Sequence, residues 1–308
     1  MYKEKRMNYN DFKGSGIPRF PTNSRVCFVG DSLTAGAVWT EMIFEYYLKH
    51  FPEDKVRMYN VGIGGGTVDY EMEHLDEDLF RYDPTHAVIM YSVNDINSYG
   101  GTAEMREKRF YADMKRMTDT LISRGVTVYY MCPTESPEEK KDGCIPRKIA
   151  HDVMMSLARE YNSYCCDLYS VMTPLLECAD MIAEDKTHHT AIGDSVIGRI
   201  FLHTQGFDGF TPDDEGFFDC HELSYEVDHR MIFQSKIRRV WTAMRNISTT
   251  GDTTEAKINR LYGRIRTRAD GAWDDFCYYR AVDFIELYPN MDFYYGMVES
   301  ITNELVCG

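Results

Sequence analysis

The feature that most constrains the fold is a regular alternation between short apolar segments and longer segments with helical spacing. Five segments have the length and apolar character of strands: residues 25–30, 55–61, 86–92, 126–132 and 164–168. The intervening and following segments have helical spacing: residues 34–51, 68–80, 103–124, 146–161, 170–183 and 192–204. This order predicts strand–helix–strand units, and therefore a three-layer α/β/α domain with a central parallel five-stranded sheet.

The last third of the chain differs in character from this alternation. We predict that the α/β domain spans residues 20–205 and that residues 206–308 form a helical C-terminal extension. The extension begins with a Gly-, Asp- and Phe-rich connection over residues 206–220, and helical patterns follow it. Whether these helices form a layer on the main domain or a homo-oligomerisation element stays open at this point.

Charge, apolar runs and cysteine spacing limit the partners and the location that we expect for this protein. The net charge of −15 argues against nucleic acid and anionic membranes as partners. No apolar run approaches the roughly 20 residues of a membrane helix, and residues 1–16 lack the apolar stretch of a signal peptide. The nine cysteines are irregularly spaced, as in a protein with reduced thiols. We therefore expect a cytoplasmic protein, unless a leader has been removed.

A serine follows the first predicted strand in the turn Gly30-Asp31-Ser32-Leu33. The hydroxyl of Ser32 is expected at the carboxyl edge of the sheet, where ligands bind in such folds, and beside a helix N-terminus that favours negative charge. By itself this turn is as well explained by a helix N-cap, a role that Asp31 and Ser32 both favour.

Two further loops at the same edge carry polar or flexible residues. Clustered glycines at residues 62–66 follow the second strand, where they allow close approach of backbone N–H groups to a ligand. Asn94 follows the third strand, and its side-chain amide can donate to an oxyanion. A plain turn and a helix cap are the respective alternatives.

A carboxylate precedes an imidazole by three residues in the loop Asp185-Lys-Thr-His188. This spacing allows the carboxylate to orient the ring, which leaves the other ring nitrogen free to accept a serine proton. His189 follows directly and is the alternative catalytic imidazole. The three-residue spacing from Asp185 favours His188. An alternative Asp/His set, at Asp219-Cys-His221 and Asp228-His229, lacks this spacing.

The order of these residues along the chain resembles the SGNH/GDSL hydrolase family, named after the Ser, Gly, Asn and His of four sequence blocks. The resemblance covers about residues 25–204. It implies a flavodoxin-like SGNH hydrolase fold, with Ser32, His188 and Asp185 as catalytic residues. It also implies an oxyanion hole formed by Ser32, Gly65 and Asn94. The sequence departs from the family pattern at Ser92, where the third block usually has Gly, and at His189, where Pro is frequent.

The resemblance implies a serine esterase that works through an acyl-enzyme without a cofactor or metal ion. We expect a small-molecule or oligosaccharide ester as substrate, and an acetyl group on a carbohydrate in particular. Trp39 and Tyr91 lie near the motifs and are expected to stack on sugar rings. The alternatives are a lipase or thioesterase of the same family, or a catalytically silent binding protein with this fold.

Overall fold

The computed structural model describes residues 16–36, 38–135 and 145–224. The predicted helices of the C-terminal extension and the Asp228-His229 pair lie outside the described residues, apart from the first residues of the extension up to 224. The domain boundary at residue 205 therefore stays a prediction. Among the described helices, none combines the length and apolar character that a membrane crossing requires.

The predicted parallel five-stranded sheet is confirmed. Its strands are β1 (Arg25–Gly30), β2 (Arg57–Asn60), β3 (His86–Met90), β4 (Thr127–Cys132) and β5 (Cys165–Asp167). They lie in the order β2-β1-β3-β4-β5, and every pairing is parallel. This order reverses direction at β1, and in doubly wound sheets ligands bind beyond the carboxyl ends of the strands at such a reversal.

Helices cover both faces of the sheet. The described helices are α1 (Ser32–Ala35), α2 (Val38–His50), α3 (Val68–Asp78), α4 (Val93–Ser98), α5 (Ala103–Ser123), α6 (Pro146–Glu160), α7 (Leu168–Met172) and α8 (Ala191–Thr204). One face packs on α3, α5 and α6 through residues such as Val29, Ile89 and Tyr130. Phe28, one position along from Val29, points to the other face and contacts Trp39 of α2 and Phe201 of α8. Alternation along each strand thus divides the core into two apolar layers.

The predicted helix over residues 170–183 is wrong. The helix α7 ends at Met172, a short 3-10 helix spans Thr173–Leu175, and an isolated antiparallel bridge joins Ile182 to His189. Pro174 lacks a backbone N–H, so it cannot continue the α-helical hydrogen bonding. The chain instead forms a loop over residues 181–190, and this loop carries Asp185 and His188.

Candidate active site

The turn after β1 places Ser32 at the first position of α1. The side chain of Asp31 caps this helix by accepting the backbone N–H of Leu33 at 2.9 Å. Since Asp31 is the cap, the hydroxyl of Ser32 is not needed for that role. As the first helical residue, Ser32 also has no helical acceptor for its own backbone N–H. The cap interpretation of this turn therefore applies to Asp31 and leaves Ser32 available for chemistry.

Close packing around this turn explains its glycine. A Cβ atom built on Gly30 would lie 2.3 Å from the carbonyl oxygen of Met90 and 2.3 Å from Oγ1 of Thr34. No side chain fits between β1 and β3 at this point. Gly30 is thus required by the close approach of β3 and Thr34, two residues before Ser32 at the sheet edge.

The loop over residues 181–190 folds back on itself through its backbone. The N–H of Ala183 donates to the carbonyl of His188 at 2.8 Å, and the N–H of Thr190 donates to the carbonyl of Met181 at 3.0 Å. Within the loop, Asp185 Oδ1 accepts the backbone N–H groups of Thr187 and His188, each at 2.9 Å. These bonds hold the Asp185 carboxylate beside the His188 ring.

A continuous hydrogen-bonded chain joins Asp185, His188 and Ser32. Nδ1 of His188 lies 2.6 Å from Oδ2 of Asp185, and Nε2 of His188 lies 2.8 Å from Oγ of Ser32. An acceptor at Nδ1 assigns the ring proton to that nitrogen, so Nε2 accepts the hydroxyl proton of Ser32. The His188 side chain is 46% exposed and that of Asp185 is 52% exposed, so a ligand can reach both side chains.

The charge of Asp185 is stabilised by these same contacts. The hydrogen bond from His188 and the two backbone N–H groups hold the pKa of Asp185 well below its ordinary value. Hydrogen bonds to the charged form of a carboxyl group have this effect. Asp185 is therefore an anion throughout the neutral range, as required of a group that stabilises a positively charged imidazole.

The neighbouring His189 lies on the opposite side of the loop. Its side chain is only 2% exposed, its Nε2 is 2.8 Å from Oγ1 of Thr134, and its Nδ1 is 3.6 Å from Oδ1 of Asp194. Burial lowers the pKa of His189, which favours the neutral ring. His188 and His189 thus point to different partners, and the ring that reaches Ser32 is His188.

A buried arginine supports the histidine loop. Arg147, near the start of α6, is fully buried and donates to the carbonyl of Thr187 at 2.7 Å. It also donates to the carbonyl and the hydroxyl of Thr134, each at 3.1 Å. Sequence reasoning missed both residues, because a basic residue at a helix start and a threonine after a strand carry no distinctive signal. Their contact with the loop appears only in three dimensions.

The glycine loop and the asparagine loop flank Ser32 because β1 lies between β2 and β3 in the sheet. Gly65 is exposed and has a left-handed φ of 73°. Its backbone N–H has no acceptor within the parts of the chain that the structure describes. Asn94 donates from Nδ2 to the carbonyl of Gly66 at 3.2 Å, which joins the two loops and leaves a second N–H on that amide.

The residue after Asn94 is a buried carboxyl group that links α3 to α4. Asp95 Oδ1 accepts the backbone N–H of Val68 at 2.8 Å, and the side chain is 1% exposed. Burial raises the pKa of Asp95 to about 7, and the hydrogen bond from Val68 offsets this only in part. The loop that holds Asn94 is therefore anchored by a carboxyl group whose charge is costly in this position.

Two residues singled out from the sequence are buried beneath this edge and do not line the site. Trp39 is 0% exposed and donates from its indole to the carbonyl of Leu33, and Tyr91 is 1% exposed. The expectation that they stack on sugar rings is wrong, because their rings belong to the core. The alternative histidine His221 has Nε2 2.7 Å from Oε2 of Glu45 on α2, and so is hydrogen-bonded to a different element.

Known proteins are similar to this chain over the region that carries these residues. Residues 28–196 match the model of the GDSL-like lipase/acylhydrolase family. An acetylxylan esterase of Geobacillus stearothermophilus is 23% identical over 215 residues, which is 61% of this chain and 96% of that protein. The matched region contains Ser32, Gly65, Asn94, Asp185 and His188, and the described residues 197–224 lie outside it.

Solved structures share the fold at low identity. An acetylxylan esterase structure from the same organism has a TM-score of 0.53 at 20% identity, covering 63% of this chain and 98% of that one. A gut microbial diltiazem-metabolizing enzyme has a TM-score of 0.51 at 23% identity, covering 63% of this chain. This chain spans only about half, 49%, of that enzyme. At these identities the likeness concerns the fold alone.

Proposed function

Because the chain belongs to the GDSL-like lipase/acylhydrolase family and is a carboxylic ester hydrolase, we propose that it removes small acyl groups from a carbohydrate through an acyl-enzyme on Ser32. The observation that carries this proposal is the hydrogen-bonded chain from Asp185 through His188 to Ser32. Acetyl is the acyl group that we propose.

The first half of the reaction depends on proton transfer along this chain. Nε2 of His188 takes the hydroxyl proton as Oγ of Ser32 attacks the ester carbonyl, and the 2.8 Å separation of these atoms supports direct transfer. The carboxylate of Asp185 orients the ring and stabilises the imidazolium that forms. His188 then returns the proton to the leaving alcohol, and the acyl group stays on Ser32.

Three donors are proposed for the negative charge that develops on the carbonyl oxygen. They are the backbone N–H groups of Ser32 and Gly65 and the remaining side-chain N–H of Asn94. Support comes from the sheet order, which puts the loops of Gly65 and Asn94 on either side of Ser32, and from the hydrogen bond that joins those loops. Preorganised donors of this kind stabilise the tetrahedral intermediate without reorganisation. Water then attacks the acyl-enzyme by the reverse sequence, with His188 as base.

The proposal that the substrate is an acetylated carbohydrate is supported by a relative, and not by aromatic residues lining the site. A relative described as an acetylxylan esterase matches over 96% of its length at 23% identity. The side chains of Asp185 and His188 are each about half exposed, which is consistent with a substrate as large as an oligosaccharide.

The nucleophile is tested with Ser32→Ala and a matched control. Ser123→Ala changes an exposed serine at the end of α5, far along the chain from the site. With p-nitrophenyl acetate, Ser32→Ala should lose about 10⁴-fold or more in kcat while Ser123→Ala keeps full activity. A fluorophosphonate probe should add covalently to Ser32, as identified by mass spectrometry of the labelled peptide. Full activity in Ser32→Ala would show that the nucleophile lies elsewhere.

The acyl group is tested with a chain-length series. We expect kcat/KM to fall from acetyl through butyryl to octanoyl p-nitrophenyl esters, and acetylated xylooligosaccharides to release acetate at a rate that Ser32→Ala abolishes. A preference for octanoyl esters would contradict the deacetylase proposal and favour a lipase. Hydrolysis of acyl thioesters in preference to oxygen esters would favour a thioesterase.

A further inference from the structure

A second cluster of reactive side chains lies at the ends of β4 and β5, against α6. Cys132 is the last residue of β4, Asp167 is the last residue of β5, and the register pairs them directly. His151 comes from α6. One sulfur, one ring nitrogen and one carboxylate oxygen from these residues all lie within 4.8 Å of one another. The Cys132 side chain is buried, and those of His151 and Asp167 are 15% and 13% exposed.

The ring of His151 is oriented as in a metal-bound histidine. Its Nδ1 lies 2.8 Å from Oδ1 of Asp152, and this contact orients the ring with Nε2 toward the cluster. Nε2 is buried, has no partner of good hydrogen-bond geometry among the described residues, and faces Oδ1 of Asp167 at 3.3 Å. The contacts with Asp167 and Asp152 raise the pKa of His151, so a metal ion at Nε2 would take the place of a proton there. A carboxylate behind the far nitrogen is the usual outer partner of a histidine ligand.

Three side chains therefore converge whose ligand atoms offer electron pairs once Nε2 and the thiol are deprotonated. Without a metal ion, the thiol of Cys132 instead donates to the carbonyl of His151 at 3.9 Å. Nε2 of His151 and the oxygen of Asp167 both accept, and the sulfur of Cys132 accepts once its thiol is ionised. A cation between them would satisfy all three at once. Thiolate, imidazole and carboxylate together are the ligand set of zinc, whereas magnesium and calcium bind oxygen.

The neighbouring Cys165 does not turn this cluster into a disulfide. Its sulfur lies 3.2 Å from that of Cys132, far longer than a sulfur–sulfur bond. The register pairs Cys165 with Tyr130, two residues from Cys132, which separates the two cysteine Cα atoms by about 8 Å. Disulfides span at most about 7 Å between Cα atoms. Cys165 thus adds a second soft donor beside the cluster.

We propose that Cys132, His151 and Asp167 bind one zinc ion. Binding releases to solvent the thiol proton of Cys132 and the proton that protonated His151 carries at Nε2, and it joins β4, β5 and α6 at one point. Thr134, which contacts both Arg147 and His189, follows Cys132 by two residues. The zinc ion would therefore hold the end of β4 just before Thr134, one of the residues that support the loop of His188. Sequence spacing gave no sign of it, because the three ligands lie 19 and 16 residues apart.

The test uses the full chain without a histidine tag, after chelator treatment and removal of the chelator. Zinc is then added, and bound metal is measured by mass spectrometry after extensive dialysis. We expect one equivalent of zinc and a thermal unfolding midpoint that rises with zinc concentration. Cobalt in place of zinc should give a thiolate-to-cobalt charge-transfer band in the near ultraviolet, which reports directly on Cys132.

Two ligand variants and one control separate binding from folding. His151→Gln and Asp167→Asn should weaken zinc binding at least about tenfold, and Asn retains the cap that Asp167 provides to α7. The control, Cys178→Ser with Cys220→Ser, removes two exposed thiols and should keep the full equivalent. Zinc binding by each variant is measured below the thermal unfolding midpoint of that variant without metal, so that only folded protein is compared with the wild type.

Two results would overturn the proposal. One is the absence of bound zinc in the wild-type chain, which would mean that the cluster is a histidine–aspartate ion pair beside two thiols. The other is equal binding by wild type and His151→Gln, which would place the metal elsewhere. Neither result bears on the proposed esterase activity, because the readouts are metal content, spectrum and unfolding.

Discussion

The two sides of the candidate site are built in different ways. Ser32, Gly65 and Asn94 each follow a strand within two to five residues, and backbone hydrogen bonds such as Ile63 N–H to the Gly30 carbonyl join their loops. Asp185 and His188 instead lie on an exposed loop that follows none of the strands directly. Besides its own backbone hydrogen bonds, its support comes from side chains distant in sequence, those of Arg147 and Thr134.

This difference separates what stabilises the fold from what orients the reacting groups. On the nucleophile side, the hydrogen bonds that hold the loops also belong to the edge of the sheet. Substitutions that remove them should therefore lower both the stability of the fold and the activity. On the histidine side, Arg147 and Thr134 hold a loop that the sheet does not need. Substitutions of these two residues should therefore lower the activity in a domain that stays folded.

The largest expected effect distinguishes two adjacent histidines of the same loop. His188→Gln removes the proposed base and should lower kcat about 10⁴-fold or more, whereas His189→Gln changes a buried support and should cost about tenfold. Steady-state kinetics on p-nitrophenyl acetate measures both. If the His189 variant lost more than the His188 variant, the assignment of the base would be reversed.

A smaller loss is expected on the nucleophile side. Asn94→Ala removes one proposed oxyanion donor and should lower kcat about 10²- to 10³-fold with little change in KM. Ser98→Ala, in the same short helix α4, is the matched control and should keep nearly full activity. A rise in KM at unchanged kcat would mean that Asn94 binds the ground state rather than the intermediate.

The next effect in size comes from the support of the histidine loop. Arg147→Met removes the hydrogen bonds to Thr187 and Thr134 and should lower kcat about 10- to 100-fold, because a misplaced base costs rate without removing the chemistry. Arg147→Lys should recover part of this loss. The rate of fluorophosphonate labelling at Ser32 should fall in parallel with kcat. Unchanged labelling in a folded Arg147→Met protein would refute the positioning role.

The smallest effect concerns stability on the nucleophile side. The folded state raises the pKa of Asp95 from 3.8 to about 7, so the folded protein binds this proton more tightly than the unfolded chain. Ionised Asp95 therefore destabilises the fold, increasingly as pH rises from about 4 to about 7. Asp95→Asn keeps an acceptor for Val68 N–H and should raise the free energy of unfolding by about 1–2 kcal/mol above pH 7.

Denaturant unfolding of wild type and Asp95→Asn across this pH range measures the difference directly. The gain should be complete above pH 7 and should vanish near pH 4, where Asp95 is protonated in both states. A gain that did not change with pH would show that Asn packs better, and that the charge of Asp95 is not the cause.

Much of the fold could be predicted from the sequence because its signals are local. The ends of all five strands lie within two residues of the predicted segments, because short apolar runs that alternate with helical patterns indicate buried parallel strands. The errors occurred where local pattern and tertiary contact disagree. The helix predicted over residues 170–183 stops early at Pro174, and the short helix α4 after Ser92 was not predicted.

By itself, the sequence determined the parallel sheet, the family and the positions of Ser32, Gly65 and Asn94 at strand ends. These follow from periodicity and from short motifs, which depend on neighbours in the chain. Only the tertiary structure decided which histidine reaches Ser32, and that Arg147 and Thr134 support its loop. It also brought Cys132, His151 and Asp167 together. Such contacts join residues far apart in sequence, and packing rather than local pattern selects them.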